Sequence, residues 1–425
     1  MNKFYYILRF TPLLALLSIA PGILRSQSVT LEQCHNWSRK NYPLIKNQEH
    51  IKSSTKYLNI NANRAYFPQL NVNGQGSYQS EVTQIPEFAP NITVPTMSKD
   101  QYKLQGELIQ TIFDGGFRTS QINMLQSHEK MQLQQLEISM HSVRQQVMDL
   151  YFAVLMFDAQ LKQQAIHRQN LQNTLDKAIA ALANGTTFKS SVNELKAEMI
   201  NADMLEFETR TNRQAIIEML NQLTGQTFTA TTKFEEPVTR LTNNLTINRP
   251  EIKMLDLQKQ NILIQKKQAA SDLLPTVSAF AMGGYGRPTL NMLSNDFGTY
   301  WMAGLRLKWS MNTLFSLPNT LKSLNMNDKM LDVEKETFQF NTKMAIDKEN
   351  SEVYKYQQLM KRDDEIIALR SSVMESAKVQ LDNGVITTTD FIVKLNAESL
   401  ARATKELHRL QLLKAQYKIL NLSGN

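Results

Sequence analysis

The near absence of proline and glycine from two very long stretches restricts the fold of this chain more than any other feature. Residues 117–224 contain no Pro and one Gly, Gly185, and residues 319–423 contain no Pro and one Gly, Gly384. Pro and Gly most often interrupt helices, so each stretch predicts two long helices separated by a single turn. A helix over residues 117–182 would be a rod of roughly 100 Å, which no compact globular domain can contain.

The first of these helices carries a coiled-coil pattern. Its apolar residues recur in alternating steps of four and three over more than three heptads, as the a and d positions of a coiled coil do. These residues are Leu136, Met140, Val143, Val147, Leu150, Val154, Phe157 and Leu161. The pattern predicts an extended helical hairpin. An amphipathic helix of an ordinary bundle is the alternative, and the unbroken length disfavours it.

The first 26 residues have the pattern of a secretory signal peptide. Lys3 and Arg9 precede a short, mostly apolar stretch, and polar residues follow it. A transmembrane anchor is the alternative, and Pro21 and Gly22 within the stretch disfavour it. Removal of residues 1–26 would take away three basic residues and no acidic one, so the formal net charge would fall from +8 to +5. Such a surplus is too small to indicate nucleic-acid binding.

The chain contains an internal duplication, because four segments recur in the same order in both halves. The pairs are NYPLIKNQ at Asn41 and NRPEIKML at Asn248, YFPQLNVNGQGSY at Tyr66 and LLPTVSAFAMGGY at Leu273, ANGTTF at Ala183 and DNGVIT at Asp382, and LTG at Leu223 and LSG at Leu422. This repetition predicts two copies of one unit, at residues 27–229 and 230–425. Each copy should contain a helix, two strands joined by a loop, a long helix, a turn and a final helix.

Alternating polarity predicts two strands in each half. Polar and apolar residues alternate over residues 70–79, 102–108 and 301–309, and a weaker run covers residues 277–285. Period two with one polar face is typical of a half-buried strand. Each run is near the roughly 9–11 residues that a tilted strand needs to cross a bilayer. The sheet of a soluble sandwich is the alternative, and the signal peptide and long helices favour a membrane sheet.

Four strands cannot span a bilayer alone. Their edges would leave backbone groups unpaired in lipid, and single-chain barrels begin at about eight strands. The chain is therefore expected to contribute its strands to a barrel that several copies share.

The duplicated plan resembles the TolC-like outer-membrane efflux protein family. The resemblance rests on NYP and YFPQL in the first half, TIFDGG after the second strand and NGVITTTDF before the last helix. It implies a mainly α-helical fold with transmembrane β strands. Long α-helical hairpins would form a periplasmic coiled-coil tunnel, and four strands per chain would contribute to the twelve-stranded β-barrel of a homotrimer. The second half departs from the plan at WSMNTLFSLPN, where the first half has FDGGFRTSQ.

The same resemblance implies a function and partners. The chain would be an outer-membrane exit duct of a tripartite efflux or type I secretion system, with a helical tunnel extending into the periplasm. Transport would be passive and driven by an inner-membrane pump of the RND or ABC class, which a periplasmic membrane-fusion adaptor protein connects to the duct. The other expected partners are outer-membrane lipid and further copies of the chain. Nucleic acid is not expected to be a partner. A secreted coiled-coil scaffold or adhesin without a channel is the alternative, and the cargo stays open.

No catalytic or metal-binding constellation accompanies these features, so neither enzyme activity nor a cofactor or metal is expected. The sequence has no GxGxxG, no phosphate-binding loop and no HExxH, and its six His include no i, i+4 pair. Most of the 20 Met fall in helical runs, where packing explains them better than a soft-metal path does. The single Cys, Cys34, is expected to be a small buried residue.

Strand alternation assigns side chains to the two faces of the expected barrel. The residues expected to face the lumen are Lys103, Gln105, Glu107, Arg306 and Lys308. Those expected to face lipid are Leu104, Leu108, Leu305 and Leu307. A charge on the lipid face near the midplane costs about 2–4 kcal/mol, so only one register is favourable. Residues 80–101 and 287–299 are expected to be extracellular loops because Pro suits loops better than ladders; their prolines are Pro86, Pro90, Pro95 and Pro288.

The break in each helical arm is expected to lie at the far periplasmic end and to dock the adaptor. The two hairpin tips are Asn184, Gly185 and Thr186 in the first half, and Asn383, Gly384 and Val385 in the second. Asn-Gly is typical of a helix end with a left-handed residue. The residues expected to cap the returning helices are Ser190, Ser191, Thr388 and Thr389.

The resemblance also assigns Asp390 to the closed periplasmic gate. TolC-like proteins carry an acidic residue at the matching position, and three copies around a threefold axis would form a ring that favours cations. The first-half equivalent is Ser190 or Ser191, and one turn later stands Val393, where relatives often carry a second acid. The alternative is that Asp390 only stabilises its helix, because the helix dipole favours an acid in the first turn.

Overall fold

The computed structural model describes residues 28–83, 96–238, 246–291 and 294–424. The predicted signal peptide and the prolines at 86, 90 and 95 lie outside the described residues. The helices are α1 (Leu31–Asn41), α2 (Asn47–Arg64), α3 (Phe117–Ala183), α4 (Lys189–Thr224), α5 (Pro250–Ser271), α6 (Asn312–Asp382) and α7 (Thr388–Ser423). The strands are β1 (Gln69–Tyr78), β2 (Asp100–Phe113), β3 (Thr276–Arg287) and β4 (Gly298–Lys308). A 3-10 helix, Pro43–Lys46, lies between α1 and α2.

Two long helical hairpins dominate the described part of the chain. α3 has 67 residues and packs along α4, while α6 has 71 residues and packs along α7. At 1.5 Å per residue α3 is a rod of roughly 100 Å. Each arm is broken once, which confirms the pattern that Pro and Gly predict. α3 also packs against α2, α5 and α7 and so links the two hairpins.

The coiled-coil seam predicted for α3 is buried in its central part. Five of the eight seam residues are buried, and the other three are half-buried. The buried ones contribute to a cluster that we call the equatorial core, which centres on Tyr151 and Phe152 of α3, Leu220 of α4 and Leu410 of α7. Cys34 of α1 lies in this core and is fully buried, as the sequence predicts.

A second cluster, the tip core, lies close to the two turns. Each of the four long helices contributes to it, with Leu171 from α3, Leu195 from α4, Ala377 from α6 and Leu395 from α7. The tip core therefore holds the ends of the two hairpins together through apolar contacts.

A small mixed patch stands beside the equatorial core, where residues 226–238 follow α4. Val29 pairs in parallel with Phe234, and the N–H groups of Val29 and Glu235 donate to Lys233 and Val29 carbonyls at 2.9 Å. The hydroxyl of Tyr151 lies 2.7 Å from the Val29 carbonyl oxygen and 2.6 Å from that of Glu235. The linker is thus fixed to the helices that it connects.

The four strands form one antiparallel sheet in the order β1-β2-β3-β4. Each half of the chain contributes one hairpin of this sheet, followed by one long helix and its returning helix. The order of elements therefore repeats as the sequence motifs predict, although α1 has no counterpart in the described second half. None of the described helices is both long and apolar enough to cross a membrane.

Candidate functional site

The register of the sheet divides its side chains into a polar face and an apolar face. Glu107 lies opposite Met282, which lies opposite Met302. Side chains alternate along a strand, so this row and every second row point to the same face. We call it the polar sheet face, and its polar members include Asn71, Asn73, Gln75, Lys103, Gln105, Glu107, Thr111, Ser278, Tyr300, Arg306 and Lys308. All five residues that the sequence assigns to a lumen therefore share one face.

The apolar sheet face is exposed in the single chain. It carries Leu70, Val72, Leu104, Leu108, Trp301, Leu305 and Leu307, whose exposures run from 42% to 78%. On the two central strands, by contrast, the large residues of the polar sheet face are half-buried. The polar sheet face is therefore the more enclosed of the two faces. A continuous apolar surface of this size indicates a lipid or protein contact.

A charged contact crosses the polar sheet face from β4 to β2. The guanidinium of Arg306 donates to the Glu107 carboxylate at 2.8 Å, and its central carbon lies 4.8 Å from the centroid of the Phe280 ring on β3. Gly304 makes room for that ring, because a Cβ at this position would lie 3.2 Å from it. We call this contact the Arg306 brace.

A second contact, the Tyr300 brace, joins the same two strands nearer the loops. The Tyr300 hydroxyl donates to Gln105 Oε1 at 3.1 Å. It passes over Gly284 of β3, where a Cβ would come within 2.8 Å of that hydroxyl. Lys103 and Lys308 form no ion pair with any residue that the structure describes. The Arg306 brace thus pairs the charges of Arg306 and Glu107, and the two lysines remain as unpaired charges of this face among the described residues.

The loops at one end of the sheet are tied to each other. Asn295 accepts from the Ser98 N–H and donates to its hydroxyl, both at 2.8 Å. Asp100 and Arg287 form an ion pair beside them. β2 and β4 extend slightly into the predicted loops, because they begin at Asp100 and Gly298. The aromatic rings that stack here are Tyr102, Tyr285 and Phe297.

At the other end of the sheet, each half joins its strands to its helices differently. Asp114 accepts from the backbone N–H groups of Gly116 and Arg118, at 2.9 and 2.8 Å, and so fixes the start of α3. Trp309 instead donates its indole N–H to the carbonyl of Leu273 at 3.0 Å. The two halves therefore differ in structure at the FDGG and WSMN segments, where their sequences also diverge.

The two hairpin tips have the same backbone geometry. Gly185 and Gly384 adopt φ values of 72° and 70° and end α3 and α6 in a left-handed residue, as Asn-Gly predicts. The N–H of Thr186 donates back to Ala181 at 2.9 Å, and that of Val385 donates to Gln380 at 2.8 Å. All six predicted tip residues are exposed. The side chain of Phe188, which the sequence reasoning overlooked, is 79% exposed beside the first tip.

The predicted helix caps are wrong in position. α4 begins with Phe188 at its N-cap and has no side-chain cap, so Ser190 and Ser191 lie one and two residues inside the helix. α7 is capped by Thr387, one residue before the predicted Thr388 and Thr389. The extended backbone at positions 188 and 387 places the caps earlier, and a sequence with several hydroxyl residues in a row does not specify which one is used.

Asp390 is part of that cap. Its carboxylate accepts from the hydroxyl and the N–H of Thr387 at 2.7 and 3.3 Å, and its own N–H donates to the Thr387 hydroxyl at 3.1 Å. The hydrogen bond from the Thr387 side chain, with help from its backbone N–H and the charge of Lys394, lowers the pKa of Asp390. Asp390 is therefore ionised near neutral pH and exposed, while Val393 one turn later is also exposed.

Polar contacts connect the two hairpins beside the tip core. Lys177 of α3 forms an ion pair with Asp382 of α6 at 2.9 Å. Two hydrogen bonds join α4 to α7 on the other side, from Thr389 to Glu194 at 2.5 Å and from Asn396 to Glu198 at 2.8 Å. Sequence reasoning missed these residues because their partners are about two hundred positions apart and carry no shared local pattern.

Comparison with known proteins identifies one family and several similar structures. Residues 38–226 match the family of outer membrane efflux proteins. No protein of curated function matches the chain. The outer membrane protein VceC from Vibrio cholerae has a TM-score of 0.65 and 14% identity, over 93% of this chain and 96% of that one.

Two further channels have the same architecture. The CmeC outer membrane channel of Campylobacter jejuni matches with a TM-score of 0.63 and 14% identity, over 93% of this chain and 85% of that one. The open state of the MtrE outer membrane channel of Neisseria gonorrhoeae matches with a TM-score of 0.63 and 11% identity, over 93% and 89% of the two chains. At such low identities these likenesses establish the fold.

Proposed function

We infer from this match and this fold that the chain is a TolC-like outer-membrane efflux protein and serves as an exit duct of a tripartite efflux system. It lies in the outer membrane, and its helical hairpins extend into the periplasm. The duct is passive and the chain is not an enzyme. It works as an oligomeric channel together with an adaptor and an inner-membrane pump.

The strongest support for this inference is the combination of an exposed apolar sheet with very long helices. A four-stranded sheet with an exposed apolar face stands at the end of helical rods of roughly 100 Å. Its outer strands, β1 and β4, each pair on one side only among the described strands. An open edge is not stable in lipid, so the sheet needs further strands to close a barrel. The helices are long enough to reach far into the periplasm.

The proposed assembly is a homotrimer with a twelve-stranded barrel. Each chain supplies two structural repeats, residues 27–229 and 230–425, and each repeat supplies two strands and one helical hairpin. β4 of one copy would pair with β1 of the next. The difference in exposure between the two faces supports an arrangement in which the exposed leucines meet lipid. The lumen would then be lined by Lys103, Gln105, Glu107, Arg306 and Lys308.

Membrane extraction of the full chain, followed by chemical crosslinking, tests the duct. We expect the chain to partition with the outer membrane and to run as a crosslinked or SDS-resistant trimer. A soluble periplasmic monomer would contradict this and would favour the alternative, a secreted coiled-coil scaffold or adhesin.

A pair of neighbouring cysteines tests the lumen assignment. Gln105→Cys and Leu104→Cys lie on opposite faces of the same strand, and the native Cys34 is buried and should add little background. A charged, membrane-impermeant thiol reagent should modify the residue at 105 in the membrane-embedded protein and spare the residue at 104. The reverse pattern would contradict the assignment.

The hairpin tips are the proposed docking surface for a periplasmic membrane-fusion adaptor, which in turn would meet an RND or ABC pump. Asn184, Gly185, Thr186, Asn383, Gly384 and Val385 are exposed at the end opposite the sheet, which supports this role. Photocrosslinking residues at positions 186 and 385 should capture an adaptor in cells. The matched control is a crosslinker at position 78, near the loop end of the sheet. Capture from position 78 alone would reject the assignment.

Asp390 is the proposed gate acid, and two substitutions separate this role from helix capping. Asp390→Asn keeps an oxygen that can accept from Thr387 and removes the charge, while Asp390→Ala removes both. If three carboxylates form an acidic ring, both variants should raise the closed-state current and weaken block by divalent cations. Ser191 follows its N-cap Phe188 by three residues, as Asp390 follows Thr387, so Ser191→Asp adds an acid at the first-half equivalent and should strengthen that block. If divalent cations block Asp390→Asn as strongly as they block the wild type, the role of Asp390 is helix capping.

A further inference from the structure

The polar sheet face contains an apolar belt about halfway along its strands. Two successive rows of this face form the belt. In one row Ile109 lies opposite Phe280, and in the next Met282 lies opposite Met302. Rows with Gln105 and Thr111 flank the belt on either side. Alternation within single strands does not reveal that these apolar residues are neighbours, whereas the register of β2, β3 and β4 brings them together.

The two braces hold polar side chains beside the belt, and the Arg306 brace pairs the one acidic side chain in its rows. The Arg306 brace occupies the carboxylate of Glu107, which lies in the same row as the two methionines and is only 16% exposed. The Tyr300 brace occupies Gln105 in the row above. Met302 is 38% exposed, and Ile109, Phe280 and Met282 are half-buried. The Arg306 guanidinium covers one face of the Phe280 ring, so Met282 and Met302 supply most of the accessible apolar surface of the belt, and the ion pair beside them has no net charge.

Packing between copies does not account for the belt. In the proposed barrel, neighbouring copies meet through the edges of β1 and β4, and lipid covers the opposite, apolar sheet face. The belt lies on the polar sheet face, which in the proposed barrel lines the path of the transported molecule. A methionine is flexible and polarisable, and it makes favourable contacts with aromatic rings of many shapes.

We propose that this apolar belt is a contact site for cargo with an apolar, ring-containing body, and that Met282 and Met302 are specificity-determining residues of the duct. The proposal rests on the proposed lumen assignment and deepens it by naming a class of cargo. A wall of polar side chains alone would give such a molecule no favourable contact, whereas the belt gives it one near the midpoint of the barrel.

Ion-current block in planar bilayers tests the proposal with the full-length channel. The probes are tetraphenylphosphonium, an apolar organic cation with aromatic rings, and tetraethylammonium, a cation of equal charge without rings. The variant M282Q/M302Q keeps the side-chain length and removes apolar character. If it removes about 50 Å² of apolar contact, the half-blocking concentration of tetraphenylphosphonium should rise roughly tenfold.

Two matched variants make the result specific. M282L/M302L keeps the belt apolar and should retain wild-type block. Asn71→Met adds a methionine in the same row, opposite Glu107 on β1, and should lower the half-blocking concentration. Block by tetraethylammonium should not change in any variant.

Each outcome supports or overturns the inference. Equal tetraphenylphosphonium block in the wild type, M282Q/M302Q and Asn71→Met would overturn it while leaving the duct intact. Loss of block in M282L/M302L would show that the thioethers matter rather than apolar contact, and would also overturn it. If M282Q/M302Q does not form pores, the half-blocking concentration of tetraphenylphosphonium in Asn71→Met decides whether the belt contacts the cargo. A wild-type chain that never conducts would instead reject the duct itself.

Discussion

Replacing Leu395 by Ala should loosen the hairpin tips without loosening the rest of the long helices. Leu395 is 1% exposed and lies in the tip core, to which both hairpins contribute. Truncation of a buried leucine to alanine costs about 2–5 kcal/mol, because transfer energy is lost and a cavity remains. Leu410, which lies in the equatorial core, is about 22 Å from Leu395 along α7. The two cores therefore share no contact that would transmit the effect of a cavity at position 395.

Hydrogen exchange of the purified full chain measures this effect segment by segment. A loss of about 2 kcal/mol in the local opening free energy corresponds to a roughly thirtyfold fall in protection. We expect this fall in the segments around both tips, since the tip core contains residues of α3, α4, α6 and α7. The closed-state current of the reconstituted channel should rise in parallel, because the tips lose the apolar contacts that hold them together.

The matched control is Leu410→Ala, the same substitution in the same helix. Leu410 is fully buried in the equatorial core. Its truncation should reduce protection around residues 136–155 and spare the tips. If Leu395→Ala lowered protection equally in both regions, the two cores would form one cooperative unit, and the reasoning from separate cores would be wrong.

Three further predictions follow from buried positions. Gly284→Ala should destabilise the sheet by about 1–3 kcal/mol, because a Cβ would lie 2.7 Å from the Leu104 carbonyl oxygen and 2.8 Å from the Tyr300 hydroxyl. At Gly106 a Cβ would meet no atom within 4 Å, so Gly106→Ala should have little effect; heat dissociation of the proposed oligomer measures both. Cys34 should not react with a charged thiol reagent at about pH 8 until the chain unfolds, because burial raises its pKa to about 12; rapid labelling of native protein would contradict this. Burial, with a contribution from Arg144, lowers the pKa of His35 from 6.5 to about 4. The folded chain then binds fewer protons than the unfolded chain between those two values. Denaturant titrations should therefore show the free energy of unfolding rising as the pH rises from about 4 to 6.5, and rising less steeply in His35→Gln.

Local patterns predict the long-range plan of this chain because its elements are regular. The single glycine in each helical arm, Gly185 or Gly384, predicts that the arm contains two long helices and predicts where its tip lies. Alternation along β2 and β4 places Glu107 and Arg306 on one face of the sheet, since side chains of a strand have a fixed period of two.

Contacts between distant segments could not be predicted in this way. The Lys177–Asp382 ion pair and the Val29–Phe234 pairing join segments far apart in the chain, and many other charged or apolar residues would fit the same local pattern. The exact helix cap was also missed, because Thr387, Thr388 and Thr389 are equivalent in sequence and only the extended backbone at Thr387 selects it. The apolar belt needs the pairing register of three strands, which no single strand contains.

The open edges of the sheet have a genetic consequence. In the proposed homotrimer, a variant that still pairs through β1 and β4 would enter trimers with normal copies. With equal amounts of variant and normal chain mixed at random, only about one trimer in eight would contain normal chains throughout. A variant defective in the lumen or at the tips should therefore be dominant over the normal allele, whereas one that cannot pair at its edges should be recessive.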